Sequence, residues 1–577
     1  MKSIKILFIL LLMITVFSCK DYLETEPYGQ VSASGATIEG AEGLVVAAYA
    51  GVANDDMIGP ITSMWAYGSV RSDDAYKGGG GVADVGDINF FEQYNLTNPS
   101  QSWMLPYSWE LLYSAISRAN SALRTLNELS DDGYPQRTTR IAEMRFLRAH
   151  SHFVLKKLFK RIPYIDETLT NDEILLESNV KYTNDELWNK IADDFEFAMD
   201  NLPSSQPEVG RANLYAAAAY LAKTRLFQAY EQGDDNHAVT NINTSRLQEV
   251  VTLTDLVINS GQYDLQPDFA ENFLDGFDND VESVFAAQFS ISDGTTVGRL
   301  SFVTGLNYPH GAPQYGCCGF HAPSHSLVNA FATENGLPKF STYNDVTLTP
   351  EDITPSGQTV DPRIDHTVGM NGHPYKYRNE SSYIFSDSWV RDAGVYGRFH
   401  SMKEQQAADC SCYSKEGPFI GSSKNIDIIR YADVLLWKAE ALIELNQDLT
   451  VARDLINEVR ERASQSTGRT VLADGSPASN YDIELYTDAN YTWNQANARE
   501  ALRFERRLEF ATEGQRFFDL VRWGIAAETL NEYLTTEKTR RDFLSNASFT
   551  ANRDEYYPIP QREIDFTKGL YQQNPNY

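Results

Sequence analysis

Between Arg140 and Phe159 the chain reads RIAEMRFLRAHSHFVLKKLF, and apolar residues recur along it on two separate helical stripes. Ala142, Phe146, Ala149 and Phe153 form one stripe; Met144, Leu147, Val154 and Leu158 form the other. A helix packed on one side needs a single apolar stripe. Two stripes demand neighbours on both sides, as for an inner helix in a stack of helical hairpins. The same period runs through DIIRYADVLLWKAEALIEL, where Ile428, Ala432, Leu435, Ala439 and Leu442 recur at spacings of four and three. NLYAAAAYLAKTRLFQAY (213–230) is rich in alanine, which lets helices approach closely. Further helical periodicity lies near 109–128, 184–201, 246–259, 449–463, 498–513 and 515–534.

Short separations between these segments predict antiparallel pairs. Residues 427–446 and 449–463 make one hairpin of about the 34-residue size of a tetratricopeptide unit. The pattern changes between 262 and 426, where Pro, Gly, Ser, His and aromatics become frequent, helical periodicity fades except around 324–334, and 283–292 reads as a strand. A smaller irregular stretch, 54–108, contains the run Gly78–Gly81, which reads as a flexible turn. Loop-rich regions of this length in a helical protein are normally functional, and the two are expected to share one face. The expected fold is mainly α: a tetratricopeptide-like helical hairpin scaffold with irregular, loop-rich insertions carrying a few short strands. The expected organisation is a helical part over 36–261 with the insertion 54–108, an irregular insertion over 262–426, and a helical part over 427–577 packed with the first as one body.

The N-terminus sets the compartment. Lys2 and Lys5 precede an uncharged, mostly apolar run from Ile6 to Phe17, too short for a bilayer span and suited to a signal peptide. The run stops at Ser18-Cys19, which resembles a bacterial lipobox. That resemblance implies cleavage after residue 18, lipid on Cys19 and a short tether over 19–35. Four other cysteines remain: Cys317, Cys318, Cys410 and Cys412. An even number in an exported chain predicts disulfides, with three connectivities open, and bonds between the clusters would join segments ~90 residues apart. C-C and C-x-C lack the spacing of zinc modules, so no metal is expected.

The formal charge, 49 − 79 = −30 over 577 residues, argues against a nucleic-acid partner, which requires a basic footprint. It also disfavours passive binding to anionic lipid, leaving the lipid anchor as the membrane contact.

Four segments together resemble the SusD/RagB family of outer-membrane nutrient-binding lipoproteins. They are the lipobox with CKDYLETEP, AEMRFLRAHSHFVLKKLFKRIPYI (142–165), IIRYADVLLWKAEALIELN (428–446), and ERRLEFATEGQRFFDLVRWG (505–524) followed by YYPIPQREIDFTKGLYQQNPNY. Lys160 stands where the family commonly has glycine. The resemblance implies a helical scaffold, an irregular ligand-binding face at the cell exterior, and a SusC-like TonB-dependent transporter as partner. The expected function is capture of an oligosaccharide and its delivery to that transporter, without bond chemistry or cofactor. A surface-anchored glycoside hydrolase and a peptide-binding family member are the alternatives.

Glu505 and Glu509, one helical turn apart, invite a catalytic reading as paired carboxylates. Arginines lie within reach of each acid from Glu505 to Asp519, and such pairing keeps carboxylates ionised, which is wrong for a general acid. An ion network tying the last helices together is the expected role. No H-E-x-x-H, Walker A or G-x-S-x-G motif occurs. His321 and His325 are four apart with Pro323 between them, which reads as surface or hydrogen-bonding residues rather than metal ligands.

Sugar binding needs flat aromatic faces and polar groups for hydroxyls. The candidates are Arg71, Asp73, Asp74, Tyr76 and Trp103 in the first irregular stretch, and Tyr308, His310, Tyr315 and Trp389 in the second. Tyr375 and Tyr377 lie near the last of these. Trp109 and Tyr113, four apart on a helix, are expected in the core.

Overall fold

The computed structural model describes residues 36–53, 57, 59–294 and 298–577. The expected leader, the tether and Cys19 lie outside the described residues.

The first helices are α1 (Ile38–Val52), α2 (Gly86–Gln93), α3 (Met104–Glu128), α4 (Arg137–Phe159), α5 (Asn184–Asn201), α6 (Leu214–Ala229) and α7 (Thr244–Ile258). Local chemistry marks several starts. The Thr183 hydroxyl accepts from Glu186 N while the Glu186 carboxylate accepts from Thr183 N, a reciprocal cap for α5. Asn213 and Asn243 cap α6 and α7. α3 packs on α1 and α4, α4 on α5, α5 on α6, and α6 on α7. Both stripes of α4 are buried, and Phe146 meets Phe195 of α5 and Tyr220 of α6 with ring centroids 5.4 and 5.8 Å apart. Trp109 is buried and meets the half-buried Tyr113 at 5.1 Å.

α4 ends at Lys160, where φ is 60°. Left-handed backbone is the reason glycine suits such a helix end. Here the lysine side chain adds ties of its own, donating from Nζ to Gly233 O (2.7 Å) and Asn236 O (3.0 Å).

After α7 the helical array continues with α8 (Tyr431–Leu445), which packs directly on α7. α9 (Leu449–Gln465), α10 (Gln495–Glu509), α11 (Arg516–Arg522) and α12 (Ala526–Arg540) follow. The irregular residues between α7 and α8 are therefore looped out of a continuous stack. The single helix expected over 515–534 is broken between α11 and α12. Gly524 there has φ 72°, and a Cβ on it would lie 3.0 Å from the Val239 side chain.

All sheets among the described residues are two-stranded. Four strands organise the irregular regions: β1 (Ala75–Gly78), β2 (Ser283–Ala287), β3 (Phe320–Pro323) and β4 (Ile426–Arg430). β2 pairs antiparallel with β4 and closes the base of the long insertion. The architecture is thus mainly α with irregular insertions and short strand pairs, as expected. The cysteines pair within their clusters, Cys317 with Cys318 and Cys410 with Cys412, and not across the ~90 residues between them. Each cysteine bonds the one nearest to it along the chain.

Candidate functional site

β1 pairs antiparallel with β3, in the register Ala75↔Pro323, Tyr76↔Ala322 and Gly78↔Phe320. This pairing, buried on both strands, ties the two irregular stretches together. The loop leaving β1 is not a slack turn. Lys77 donates from Nζ to Gly78 O (3.0 Å), Gly81 O (2.9 Å) and Asp84 O (2.6 Å), which gathers residues 78–84 around one ammonium. Phe320 and Tyr396 flank that ammonium at 5.1 and 5.3 Å. Burial lowers the Lys77 pKa and raises that of neighbouring Glu92, whose Oε1 accepts from Lys77 N. Gly78 has φ 76°, and a Cβ on it would lie 2.5 Å from Gly319 O, so the close approach of the two stretches requires glycine there.

Arg391 crosses the outside of the same loop. Its Nη1 donates to Asp84 Oδ2 (2.8 Å) and to Cys318 O (3.1 Å), and Asp84 Oδ2 also accepts from Gly80 N (2.9 Å). His310, exposed beside it, has its pKa lowered by burial and by the Arg391 charge. At the far end of the loop, Asp87 in α2 accepts from Ser102 Oγ (2.7 Å), Trp103 N (2.8 Å) and Met104 N (2.9 Å). This carboxylate satisfies free amides at the start of α3 and leaves the Trp103 side chain outside, 48% exposed. The locked loop is thus crossed by the Arg391 guanidinium, and Asp87 beyond it is tied to the backbone of Trp103, whose side chain is exposed.

The remaining candidates lie in the interior, and their placement is a correction to the sequence reading. Arg71 is fully buried, 4.4 Å from the Tyr557 ring centroid, and donates to Asp554 O (2.7 Å). Asp73 pairs with Arg516 (2.9 Å) and Arg507 (3.0 Å). Burial would raise its pKa, but those two guanidinium groups hold it down at about 2. Asp74 pairs with Arg507 (3.1 Å), and burial keeps its pKa raised. The Tyr76 hydroxyl donates to Glu537 and accepts from His325 N. Tyr308, Tyr315 and Trp389 belong to a core inside the long insertion, together with Tyr375 and Phe385. Tyr308 OH accepts from Gln406 N (3.1 Å) and Tyr315 OH donates to Gln406 O (3.0 Å). These groups have partners inside the protein because the insertion needs an apolar core of its own.

Of the nine candidates, Trp103 and His310 are on the surface. Sequence reading missed Lys77, Asp84 and Arg391. The signal for Arg391 is its place in SDSWVRD, a charged side chain two positions after the buried Trp389.

The sequence profile of the SusD family matches residues 281–577, and a second profile, described as starch-binding associating with outer membrane, matches residues 62–226. The chain belongs to the SusD family. Among SusD relatives it is 25% identical over 588 residues to SusD-like protein P2 of Formosa agariphila, covering all of both chains. It is 25% identical over 429 residues to a SusD-like protein of Bacteroides ovatus, covering 72% of this chain and 65% of that one. The SusD fold is shared with surface glycan-binding protein A of Bacteroides fluxus at a TM-score of 0.67 and 23% identity, covering 94% of this chain and 100% of that one. The same protein of Bacteroides thetaiotaomicron, in complex with laminarihexaose, gives 0.59 at 21% identity with the same coverage.

In this SusD-family chain the C-terminal carboxylates form the expected ion network. Glu505 accepts from Arg363 (2.6 Å) and Arg460 (3.0 Å). Glu509 accepts from Arg363 (3.1 Å), Arg430 (2.9 Å) and Arg462 (2.5 Å). Both acids are fully buried. Burial opposes ionisation of Glu509, but the surrounding arginines hold its pKa well below the usual carboxylate range. Enclosed and held ionised, Glu509 does not meet the needs of a general acid, and Glu505 is enclosed beside it with both its arginine partners.

Proposed function

We propose that this SusD-family chain binds a neutral oligosaccharide over the 78–87 loop and passes it, unaltered, to a SusC-like TonB-dependent transporter. Acyl groups on Cys19 hold the chain at the outer membrane, facing the cell exterior. One observation carries the reading: an exposed Trp103 indole and the Arg391 guanidinium flank a loop locked from beneath by Lys77. An indole face suits the C–H face of a sugar ring, and a planar set of donors suits hydroxyl oxygens. A pre-organised loop reduces the ordering cost of binding. The laminarihexaose complex of a protein with the same fold supports a carbohydrate as the ligand class.

Calorimetry of the purified protein against laminarihexaose, other neutral hexasaccharides and hexapeptides tests the reading. Stacking removes apolar surface at roughly 25 cal/mol per Å², so Trp103→Ala is expected to weaken binding about tenfold. Unchanged affinity in both Trp103→Ala and Arg391→Ala would refute the placement. Binding of peptides alone would point to the peptide-binding alternative, and chromatographic detection of shortened glycan would point to a hydrolase. For the anchor, Cys19→Ala is expected to abolish metabolic lipid labelling.

A further inference from the structure

A cavity of about 60 Å³ lies between α4, α6 and α11 and shares no lining residue with the 78–87 loop. Two lysines face it. Lys157 of α4 places Nζ 4.2 Å from the Phe518 ring centroid. Lys223 of α6, only 8% exposed, places Nζ 5.7, 5.5 and 5.6 Å from the rings of Phe153, Tyr220 and Trp437. Among the described residues, neither ammonium has an ion-pair or hydrogen-bond partner.

The acids nearby form their ion pairs with other cations, although the charge of Asp519 acts on both lysines and that of Asp433 on Lys223. Glu513 accepts from Lys403 (2.7 Å) and Arg430 (3.0 Å). Asp519 accepts from Arg506 (2.8 Å) and Arg522 (2.9 Å). Asp427 accepts from the Ser283 hydroxyl. His150 also lines the cavity, with Nδ1 2.8 Å from the Tyr220 hydroxyl oxygen.

Two unpaired ammonium groups beside one cavity are unusual in a chain of charge −30. Lys157 is partly exposed, but Lys223 is buried, and a buried charge is normally paired, because aromatic walls replace little of its lost hydration. We propose that this cavity binds a small oxyanionic group, a sulfate or carboxylate, through Lys157 and Lys223. Such a group neutralises both cations and accepts charge-assisted hydrogen bonds from both. One water needs ~10–15 Å³ of such volume, so the cavity admits a group of a few heavy atoms. Burial and mutual repulsion lower the pKa of Lys157, and burial lowers that of Lys223; a bound anion relieves both effects. The anion is either free in solution or the acidic group of a larger ligand, and the site stands whether or not the glycan reading above holds.

Calorimetry at constant ionic strength, with sodium sulfate, sodium glucuronate and glucose added separately, tests the proposal. Saturable binding of sulfate or glucuronate, with none of glucose, is expected. Tighter sulfate indicates a free anion, and tighter glucuronate indicates a ligand-borne group. Lys223→Met and Lys157→Met are each expected to weaken binding about tenfold, the scale of one charged hydrogen bond. No saturable binding, or binding unchanged in both variants, overturns the site. Selenate introduced into crystals of the unaltered protein removes dependence on the variants' folding. An anomalous peak within hydrogen-bond reach of both Nζ atoms supports the site, and peaks confined to the outer surface overturn it.

Discussion

Arg391 donates to Asp84 at 2.8 Å, although 307 positions separate the two residues. The pair is about one-third exposed, so its direct contribution to stability is small. Its consequence is positional: it holds the guanidinium across the outside of the 78–84 loop. Asp84→Ala is therefore expected to shift the denaturation midpoint little, by less than about 1 kcal/mol. It should weaken glycan binding severalfold by freeing Arg391. A double-mutant cycle with Arg391→Ala by calorimetry checks this, and strictly additive losses would contradict the coupling.

Lys77 holds that loop from the inside. Replacing it by Met removes three donors from the carbonyls of Gly78, Gly81 and Asp84. Amide hydrogen exchange over residues 78–86 should rise, while exchange in α4 and α6 stays unchanged. Protection of the loop at the level of the unaltered protein would show that the glycines alone define its shape.

Glu509 lies among Arg363, Arg430 and Arg462 with no solvent to replace it. Glu509→Gln strands buried positive charge, and the expected loss of stability is about 3–5 kcal/mol. Urea denaturation measures it, and a loss below about 1 kcal/mol would mean that the network redistributes around Glu282, which also pairs with Arg430 (2.6 Å) and Arg462 (2.7 Å).

Asp194 ties α4 to α5. It accepts from Arg148 (2.8 Å), Arg145 (2.6 Å) and the Tyr164 hydroxyl (2.6 Å). Burial alone would raise its pKa, but these partners hold it at about 2, against an ordinary 3.8. A depressed carboxyl pKa contributes stability above the unfolded value and loses it as pH falls through the folded one. At about 1.4 kcal/mol per pH unit, this contribution is about 2 kcal/mol. The stability gap between the unaltered protein and Asp194→Asn should narrow by that amount from pH 5 to pH 2. A gap that stays constant over that range would contradict the assignment.

The helical scaffold was legible in the sequence because each helix declares itself within a few turns. The stripes of α4 and α8 need no information from elsewhere in the chain. The Asp519–Arg522 pair was legible too, since the two sit three apart on one helix, whereas the partners of Glu505 and Glu509 come from Arg363, Arg430, Arg460 and Arg462, far back in the chain. The helix break at Gly524 was not, because periodicity runs on across a residue whose close neighbour is Val239, far back in the chain.

The candidate site divides the same way. Sequence alone determined that aromatics and polar groups concentrate in two irregular stretches, and that Trp103 follows a polar loop. Tertiary structure decided which of them face outward. Tyr308, Tyr315 and Trp389 are locally indistinguishable from surface aromatics, yet they form the core of the insertion. Arg71, Asp73 and Asp74 are enclosed by residues more than 400 positions away. Periodicity reports a helix's own faces, since they recur every 3.6 residues. An irregular segment has no such period, so the burial of its side chains depends on which distant strand, here β3 against β1, the chain brings beside it.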